Sequence, residues 1–177
     1  MNIAPLTADD VDRVVAFFER VPEGDRTFFK TPVLGDESVR SWLDADSIHL
    51  VGSDDDGDDT VIGYAAVVPG VGWSRHVGEL RVVVDPERRR EGIGAALAKA
   101  ALVAALQAGL SKVVVEAIAT QDATIGLFAG LGFQPEALLT DQVRDADGAL
   151  HDLMVLALHG DQTWATLTAA GLDQILD

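Results

Sequence analysis

Three consecutive arginines precede a glycine-containing helix start in the segment Val82 to Leu97, VVVDPERRREGIGAAL. Arg88 to Arg90 are followed by Gly92 and Gly94, where an alanine-rich helix is predicted to begin. The first N–H groups of a helix lack an intrahelical acceptor and carry partial positive charge, so they suit phosphate. Glycine lets a ligand approach the backbone closely, and arginines add full charges for the same anion. The segment therefore predicts a binding site for a polyanion.

Two other kinds of phosphate loop do not fit this segment. A P-loop needs the pattern GxxxxGK[ST], and no Lys-Ser or Lys-Thr follows these glycines. A dinucleotide-binding turn needs GxGxxG directly after its strand. Here Leu97 stands at the third glycine position, and a Pro-Glu-Arg-Arg-Arg stretch separates the strand from the glycines. The alternative of a helix start without a ligand is disfavoured by the arginines and by the preceding strand.

The other reactive side chains exclude several kinds of chemistry. Cysteine is absent, which removes disulfides, thiolate nucleophiles and cysteine-based metal sites. None of the histidines shows the HxxH or HExxH spacing of a metal site, so no metal is expected. The segment Ser53 to Asp59 lacks the spaced ligands and the closing Glu of a calcium-binding EF-hand. It is predicted to be a solvated hairpin turn.

The chain is strongly acidic. Its 177 residues include 13 basic and 29 acidic side chains, for a net charge of −16. This charge repels nucleic acid and anionic membranes, so neither is expected as a partner. The sequence contains no long apolar run and does not begin with basic residues followed by an apolar stretch. No transmembrane helix or signal peptide is therefore predicted, and a cytoplasmic location is the default expectation.

Hydrophobic periodicity and turn residues predict the order β-α-α-β-β-β-α-β-α-β-β-α, with antiparallel hairpins first and a central βαβ crossover. The predicted strands are Asn2–Leu6, Ile48–Gly52, Val61–Val68, His76–Val84, Lys112–Ile118, Phe133–Thr140 and Leu150–Leu158. The predicted helices are one capped by Thr7, then Asp36–Leu43, Gly92–Gln107, Gln121–Gly130 and an amphipathic helix over 161–176. Val21 to Leu34, which contains two prolines, is predicted to be irregular. The pattern predicts one α/β domain of the α+β type over residues 1–177, with a mixed sheet flanked by helices.

Two motifs resemble the GNAT superfamily of acetyltransferases. The stretch Arg89-Arg90-Glu91-Gly92-Ile93-Gly94 matches the signature R/Q-x-x-G-x-G/A, and Val84-Asp85-Pro86 matches the V-x-P that commonly precedes it. The segment Gln121 to Phe133 resembles the family pattern N-x-x-A-x-x-L-Y-x-x-x-G-F. The resemblance covers a core of residues 48–158, whereas the helix over 161–176 is less standard. It implies a mixed, mostly antiparallel seven-stranded sheet with a central βαβ unit.

The resemblance implies acetyl-CoA as the co-substrate. Backbone groups of Val82 to Val84 would pair with the pantetheine arm as an added strand does, and N–H groups from Arg90 to Ala95 would hold the pyrophosphate. Gln121 stands where the family usually has an Asn that contacts the cofactor. The complete cofactor-binding set implied in this way is Val82, Val83, Val84, Arg89, Arg90, Glu91, Gly92, Ile93, Gly94, Ala95, Gln121 and Phe128.

Two carboxylates are candidates for the general base, because an amine must lose a proton to acquire its acetyl group. Glu79 lies close to the position where several family members have a catalytic Glu. Glu116, five residues before Gln121, resembles in its spacing the catalytic Glu of ribosomal-protein N-terminal acetyltransferases. The alternative for each is a charge at a solvated strand end, or a salt bridge with a neighbour such as Arg81. Both candidates stay open at this point.

One position departs from the family pattern. The usual general acid of the family is a Tyr, and Phe128 stands in its place, so no proton can be donated from there. The single tyrosine, Tyr64, lies on an earlier strand and is predicted to line the core or a cleft. Because the thiol of coenzyme A is a good leaving group, the loss of the acid need not abolish activity.

These observations predict an acetyl-CoA-dependent N-acetyltransferase acting on a primary amine of a small molecule, peptide or protein. Without cysteine, direct attack in a ternary complex is favoured over an acyl-enzyme. The resemblance implies an acceptor site near Pro22 to Leu34 and Ala137 to His151. The alternative, which Phe128 favours, is a non-catalytic acyl-CoA-binding or regulatory module. A homodimer is among the assemblies that the sequence allows.

Overall fold

The computed structural model describes residues 1–26, 29–54, 59–145 and 147–160. The strands are β1 (Asn2–Pro5), β2 (Ile48–Ser53), β3 (Val61–Pro69), β4 (Val77–Val84), β5 (Lys112–Ile118), β6 (Gln134–Arg144) and β7 (Leu150–His159). The α-helices are α1 (Val11–Arg20), α2 (Glu23–Arg26), α3 (Asp36–Ser41), α4 (Ile93–Gln107) and α5 (Asp122–Gly130). The helix predicted over 161–176 lies outside the described residues. No helix in the described ranges has the length and apolarity needed to cross a membrane.

The strands form one seven-stranded sheet in the order β1-β2-β3-β4-β5-β7-β6. The pairs β1–β2, β2–β3, β5–β7 and β6–β7 are antiparallel. The pair β4–β5 is parallel, with Val77 to Glu79 in register with Lys112 to Val114. A parallel pair needs a crossover connection, and α4 provides it. The predicted mixed, mostly antiparallel sheet flanked by helices, with its central βαβ unit, is confirmed.

The prediction of an irregular segment over Val21 to Leu34 is wrong in one place. Residues Glu23–Arg26 form the helical turn α2. Two backbone hydrogen bonds stabilise this turn. The N–H groups of Asp25 and Arg26 both donate to the Pro22 carbonyl, at 3.0 and 3.1 Å. Proline has a fixed φ that suits the first turn of a helix. Pro22 therefore precedes a helical turn within a segment that the sequence predicts to be irregular.

The described residues divide into two compact units. The first comprises residues 1–68 and 81–101, and the second comprises residues 69–80 together with the described residues from 102 onward. In the first unit, α1 buries an apolar stripe consisting of Val11, Val14, Phe17 and Phe18. This stripe has helical spacing and joins Val51 of β2 and Tyr64 of β3 in one hydrophobic cluster.

In the second unit, β5 alternates between buried and half-buried residues, as a strand with one core-facing side must. Val113, Val115 and Ala117 are buried, whereas Val114 and Glu116 are half-buried. Strands β6 and β7 follow, and their connection includes Gly148 with φ 86°. The predicted turn at Asp147-Gly148 is thereby confirmed.

A pair of glycines brings α4 close to the sheet of the first unit. Gly52 of β2 and Gly63 of β3 are in register with each other. A Cβ built on Gly63 would lie 2.6 Å from Leu97 Cδ1, 3.1 Å from Ile93 Cγ2 and 3.3 Å from the Val83 carbonyl oxygen. A Cβ on Gly52 would lie 3.4 Å from Leu97 Cδ2. The two missing side chains thus make room for Leu97, which is completely buried.

We predict that Gly63→Ala destabilises the protein by about 1–3 kcal/mol, because the added methyl group overpacks the contact with Leu97 and Ile93. The measurement is the free energy of unfolding from chemical denaturation. The matched control is Gly126→Ala in α5, where a Cβ meets nothing within 4 Å. Alanine is favoured over glycine in a helix, so the control should gain about 0.5–1 kcal/mol. Equal effects of the two substitutions would contradict the close approach of α4.

Candidate active site

The loop between β4 and α4 begins at a buried aspartate. The Asp85 N–H donates to the Ile62 carbonyl of β3 at 2.9 Å, and Asp85 Oδ1 accepts from the Glu87 N–H at 3.0 Å. The carboxylate thus caps the short 3-10 helix Pro86–Arg88, which has Pro86 in its first turn. Asp85 is only 8% exposed. These bonds fix the direction in which the chain leaves the strand.

A distant arginine supports this aspartate. Arg20 at the end of α1 lies with Nη2 3.2 Å from Asp85 Oδ2, and the same nitrogen donates to the Val61 carbonyl at 2.9 Å. An unpaired carboxylate would be costly to bury, and the guanidinium offsets that cost. Sequence reasoning missed both residues as parts of the site. The Asp-Pro-Glu turn pattern was the available signal for Asp85, whereas nothing local indicated Arg20.

The three consecutive arginines differ in their partners within the protein, and their predicted contacts with an anion stay a prediction. Arg88 pairs with Asp54 through Nη1 and with Glu91 through Nε, the latter at 2.8 Å. These two carboxylates, Asp54 first, hold the pKa of Arg88 above its usual value. Arg89 pairs with Asp25 of α2. Arg88 and Arg89 therefore tie the loop to neighbouring segments of the first unit.

The backbone after the arginines adopts two left-handed conformations. Arg90 has φ 66° and Gly92 has φ 85°. Such a φ is uncommon for a residue with a side chain and easy for glycine. The Gly92 carbonyl accepts the N–H of Ala96 at 3.0 Å, which is the bond that starts α4. The N–H groups of residues 93–95 consequently have no acceptor within the helix, and they form the positive end of its dipole.

The strand residues before the loop differ in burial. Val83 is 6% exposed and belongs to the core cluster, whereas Val82 and Val84 are half-buried. Their predicted backbone contacts with the pantetheine arm stay a prediction. Of the loop residues, Ile93 is buried, Gly94 is half-buried, and Glu91, Gly92 and Ala95 are exposed. The helix start therefore presents backbone to solvent while Ile93 anchors it.

The second family motif lies at α5. Gln121 precedes the helix, its N–H donates to the Ile118 carbonyl at 2.8 Å, and its carbonyl accepts from the Ile125 N–H at 3.0 Å. Phe128 is 4% exposed and meets Phe133 edge to face, with ring centroids 5.3 Å apart at 73°. The ring at the position of the usual tyrosine is thus part of an aromatic pair in the core of the second unit.

The two candidate bases share one face of the sheet. Glu79 of β4 is in register with Val114 of β5. Glu116 lies two residues beyond Val114, and side chains two residues apart point to the same side of a strand. Neighbouring strands lie about 4.8 Å apart, so Glu79 and Glu116 are near neighbours on that face. Both side chains are half-buried, which suits a carboxylate that must reach solvent and substrate.

The first unit also contains a pocket of about 380 Å³, which the sequence did not predict. Its walls include the rings of Phe29, Trp42, His49 and Tyr64. Phe29 lies in the segment expected to contact the acceptor, whereas Phe28 lies outside the described residues. Tyr64, predicted to line the core or a cleft, does both, since it is 1% exposed and borders the pocket.

A chain of hydrogen bonds runs along the pocket wall. His49 Nδ1 bonds the Tyr64 hydroxyl, and His49 Nε2 lies 2.6 Å from Ser47 Oγ. The His49 ring stacks on Trp42, with centroids 5.4 Å apart and planes at 8°. Burial, assisted by the charge of Arg81, lowers the pKa of His49 to about 4, and burial raises the pKa of Tyr64. Both side chains are therefore neutral at pH 7.

Arg81 of β4 lies in the wall of the pocket. Its Nη1 donates to the Phe29 carbonyl. Among the described residues that line the pocket, no other side chain is cationic at pH 7 and none is Asp or Glu.

Comparison with known proteins places the chain in a family. Residues 12–133 match the model of the acetyltransferase (GNAT) family. A mycothiol acetyltransferase from Kocuria rhizophila is 37% identical over 107 residues, which make up 57% of this chain and 35% of that relative. The aligned part thus spans about a third of that relative's length.

Two solved structures have the same fold. A ribosomal-protein-alanine N-acetyltransferase from Brucella melitensis matches with TM-score 0.75 and 22% identity, over 90% of this chain and 99% of that one. The yncA protein from Salmonella typhimurium, solved with its cofactor acetyl-CoA, matches with TM-score 0.76 and 20% identity, over 91% of this chain and 94% of that one. Because the family model matches most of the chain, the protein belongs to the GNAT family of acetyltransferases.

Proposed function

We propose that this protein transfers the acetyl group of acetyl-CoA to a primary amine by direct attack in a ternary complex. The observation that carries the proposal is the loop at the start of α4. There Gly92 takes φ 85° and the N–H groups of residues 93–95 point out of the first helical turn. We assign the pyrophosphate to these groups, and the pantetheine arm to the backbone of Val82 to Val84.

Arg89, Arg90 and Gln121 complete the proposed cofactor site. Arg90 is exposed beside the helix start, and Arg89 is close to half exposed although it pairs with Asp25. A guanidinium that already holds one carboxylate at the surface exchanges it for a phosphate at little cost, since exposed ion pairs are weak. Gln121 would offer its side-chain amide to the cofactor. Phe128 would contribute an apolar surface from within its pair with Phe133.

The residues of this chain are left with one chemical task, the removal of a proton from the attacking amine. Acetyl-CoA supplies the acetyl group on a thioester, whose thiol is a good leaving group. A carboxylate can take the proton from nitrogen directly or through one water as the new C–N bond forms and the C–S bond breaks. We assign this task to Glu79 or Glu116. Phe128 has no proton to donate to the departing thiolate. The thiolate must therefore receive its proton from water, or receive the proton that the amine has lost.

We predict that Gly92→Glu abolishes acetyl-CoA binding while the fold is retained. The substitution places a carboxylate where the pyrophosphate is proposed to bind, at the end of the helix that favours anions. Isothermal titration calorimetry with acetyl-CoA measures the effect, and we expect a loss of affinity of at least about 100-fold, because like charges repel strongly at close range.

The control for this experiment is Gly148→Glu. Gly148 has φ 86° and Gly92 has φ 85°, and a Cβ at either glycine meets nothing within 4 Å. The two variants therefore carry the same charge and the same kind of backbone strain, and Gly148→Glu should bind acetyl-CoA like the wild type. Unchanged affinity of Gly92→Glu, or an equal loss in both variants, would contradict the assignment of the loop.

We predict that one of Glu79→Gln and Glu116→Gln lowers kcat by about 10²–10⁴-fold, because glutamine keeps the shape but cannot accept the proton. The rate of thiol release from acetyl-CoA, measured over a panel of amines, reports the effect.

Glu136→Gln serves as the comparison. Glu136 on β6 is an exposed carboxylate that pairs with Lys112, and its loss should leave kcat within about twofold. If both Glu79→Gln and Glu116→Gln behave like Glu136→Gln, neither carboxylate is the base. If no amine in the panel releases thiol above hydrolysis, the proposed function itself fails.

A further inference from the structure

We infer that the pocket of the first unit binds an apolar ring that carries an acceptor oxygen, and that the Ser47 hydroxyl is the donor that recognises this oxygen. None of the described residues that line this pocket belongs to the loop at the start of α4. The site therefore does not depend on the proposed function, and it takes its ligand whether or not that molecule is an acetyl acceptor.

The side chains of Tyr64, His49 and Ser47 hold one more hydrogen than their mutual bonds can use. His49 Nδ1 bonds the Tyr64 hydroxyl, and His49 Nε2 lies 2.6 Å from Ser47 Oγ. Tyr64 and His49 are neutral at pH 7, so each of the three side chains carries one hydrogen on its oxygen or nitrogen. The chain has two hydrogen bonds, so one hydroxyl hydrogen is left over at one end, on either Tyr64 or Ser47.

Burial decides which end keeps the spare hydrogen. Tyr64 is 1% exposed, and among the described residues its hydroxyl has no hydrogen-bond partner other than His49 Nδ1. If Nδ1 donated to this hydroxyl, the Tyr64 O–H would stay buried without an acceptor, at the full desolvation cost of the group. Tyr64 therefore donates to Nδ1, and the Nε2–H of His49 donates to Ser47 Oγ. The spare hydrogen belongs to Ser47, which is half-buried and lines the pocket, so its O–H can donate to a ligand there.

Two other hydroxyl groups of the pocket wall already donate within the protein. The Ser41 hydroxyl donates to the Ser38 carbonyl at 2.6 Å, and the Thr31 hydroxyl donates to the Phe29 carbonyl at 3.2 Å. Ser41 thus borders the same pocket with its hydrogen in use. This difference makes it the matched control for Ser47.

Much of the remaining wall is aromatic. Trp42 stacks on the His49 ring with centroids 5.4 Å apart, and the Tyr64 centroid lies 5.3 Å from that of Trp42 and 5.8 Å from that of Phe29. Aromatic rings pack edge to face or offset on one another, so these walls favour a ring as the apolar part of the ligand. Ligand pockets generally have about 300–1,000 Å³, and 380 Å³ lies at the lower end of that range. The pocket therefore suits a single-ring molecule whose oxygen accepts from Ser47.

The first test identifies the tautomer of His49 in the complete wild-type protein. A long-range ¹H–¹⁵N NMR spectrum at pH 7 shows which ring nitrogen carries the hydrogen, and we expect it on Nε2. A hydrogen on Nδ1 would reverse both bonds, use the Ser47 hydrogen as the donor to His49 and overturn the inference.

The second test compares two uncharged ligands of nearly the same shape, acetophenone and isopropenylbenzene, in which a CH₂ group replaces the carbonyl oxygen. NMR titration gives their affinities for the wild type, Ser47→Ala and Ser41→Ala, and the signals of Trp42 and His49 report the location. The ratio of the two affinities cancels the contribution of the shared ring. We expect Ser47→Ala to lower this ratio about three- to tenfold, the usual effect of one neutral hydrogen bond. Ser41→Ala should leave the ratio within about twofold of the wild type.

The inference is overturned if neither ligand shifts the Trp42 and His49 signals, if Ser47→Ala leaves the ratio unchanged, or if Ser41→Ala lowers it as much. The tautomer and the titration of the wild type do not require any variant to fold, and each of them can contradict the assignment. None of these measurements uses acetyl-CoA, so their outcome is separate from that of the proposed function.

Discussion

The close contact of Leu97 with the paired glycines Gly52 and Gly63 is the constraint on which the proposed cofactor site depends. A helix that packs on a sheet normally stands off by the length of the intervening side chains. Here two adjacent strands have glycines in place of such side chains, so Leu97 of α4 packs directly over the backbone of β2 and β3. The first turn of α4 is thereby fixed relative to the end of β4, since Ile93 Cγ2 and the Val83 carbonyl oxygen both lie within 3.3 Å of the position that a Cβ on Gly63 would take.

A fixed helix start needs a fixed loop before it, and the acidic residues of the first unit provide this. Asp85 joins the loop to β3 and to α1 through Arg20, and Asp54 holds Arg88. Exposed ion pairs of this kind contribute little to stability. Their effect here is to restrict the loop to one path, so that the N–H groups at the helix start face the same direction before a ligand arrives. A site arranged in advance loses less entropy on binding.

The sequence predicted the elements well because their signals are local. The bounds of β5 are those predicted, Lys112–Ile118, since a β-branched run flanked by turn residues is decided within the segment. The start of α4 near Gly92 was equally predictable, because a glycine signals a backbone turn at its own position. The ion pairs of the arginines were not predictable, because Arg89 and Asp25 are 64 positions apart and Arg88 and Asp54 are 34 apart. A run of three arginines looks the same in the sequence whether its charges meet a ligand or a neighbouring carboxylate.

The pocket escaped sequence reasoning for a related reason, because its walls come from residues that are far apart in the chain. Tyr64 and His49 meet because His49 is in register with Ala66, which places the ring two residues along β3 within reach. Histidine in a strand suggests either a metal ligand or a titrating group. Burial between Trp42 and Tyr64 makes it a neutral hydrogen-bonding link instead. Two residues that the sequence presents as titrating groups are thus neutral at pH 7, because their register across β2 and β3 brings both rings into the pocket wall.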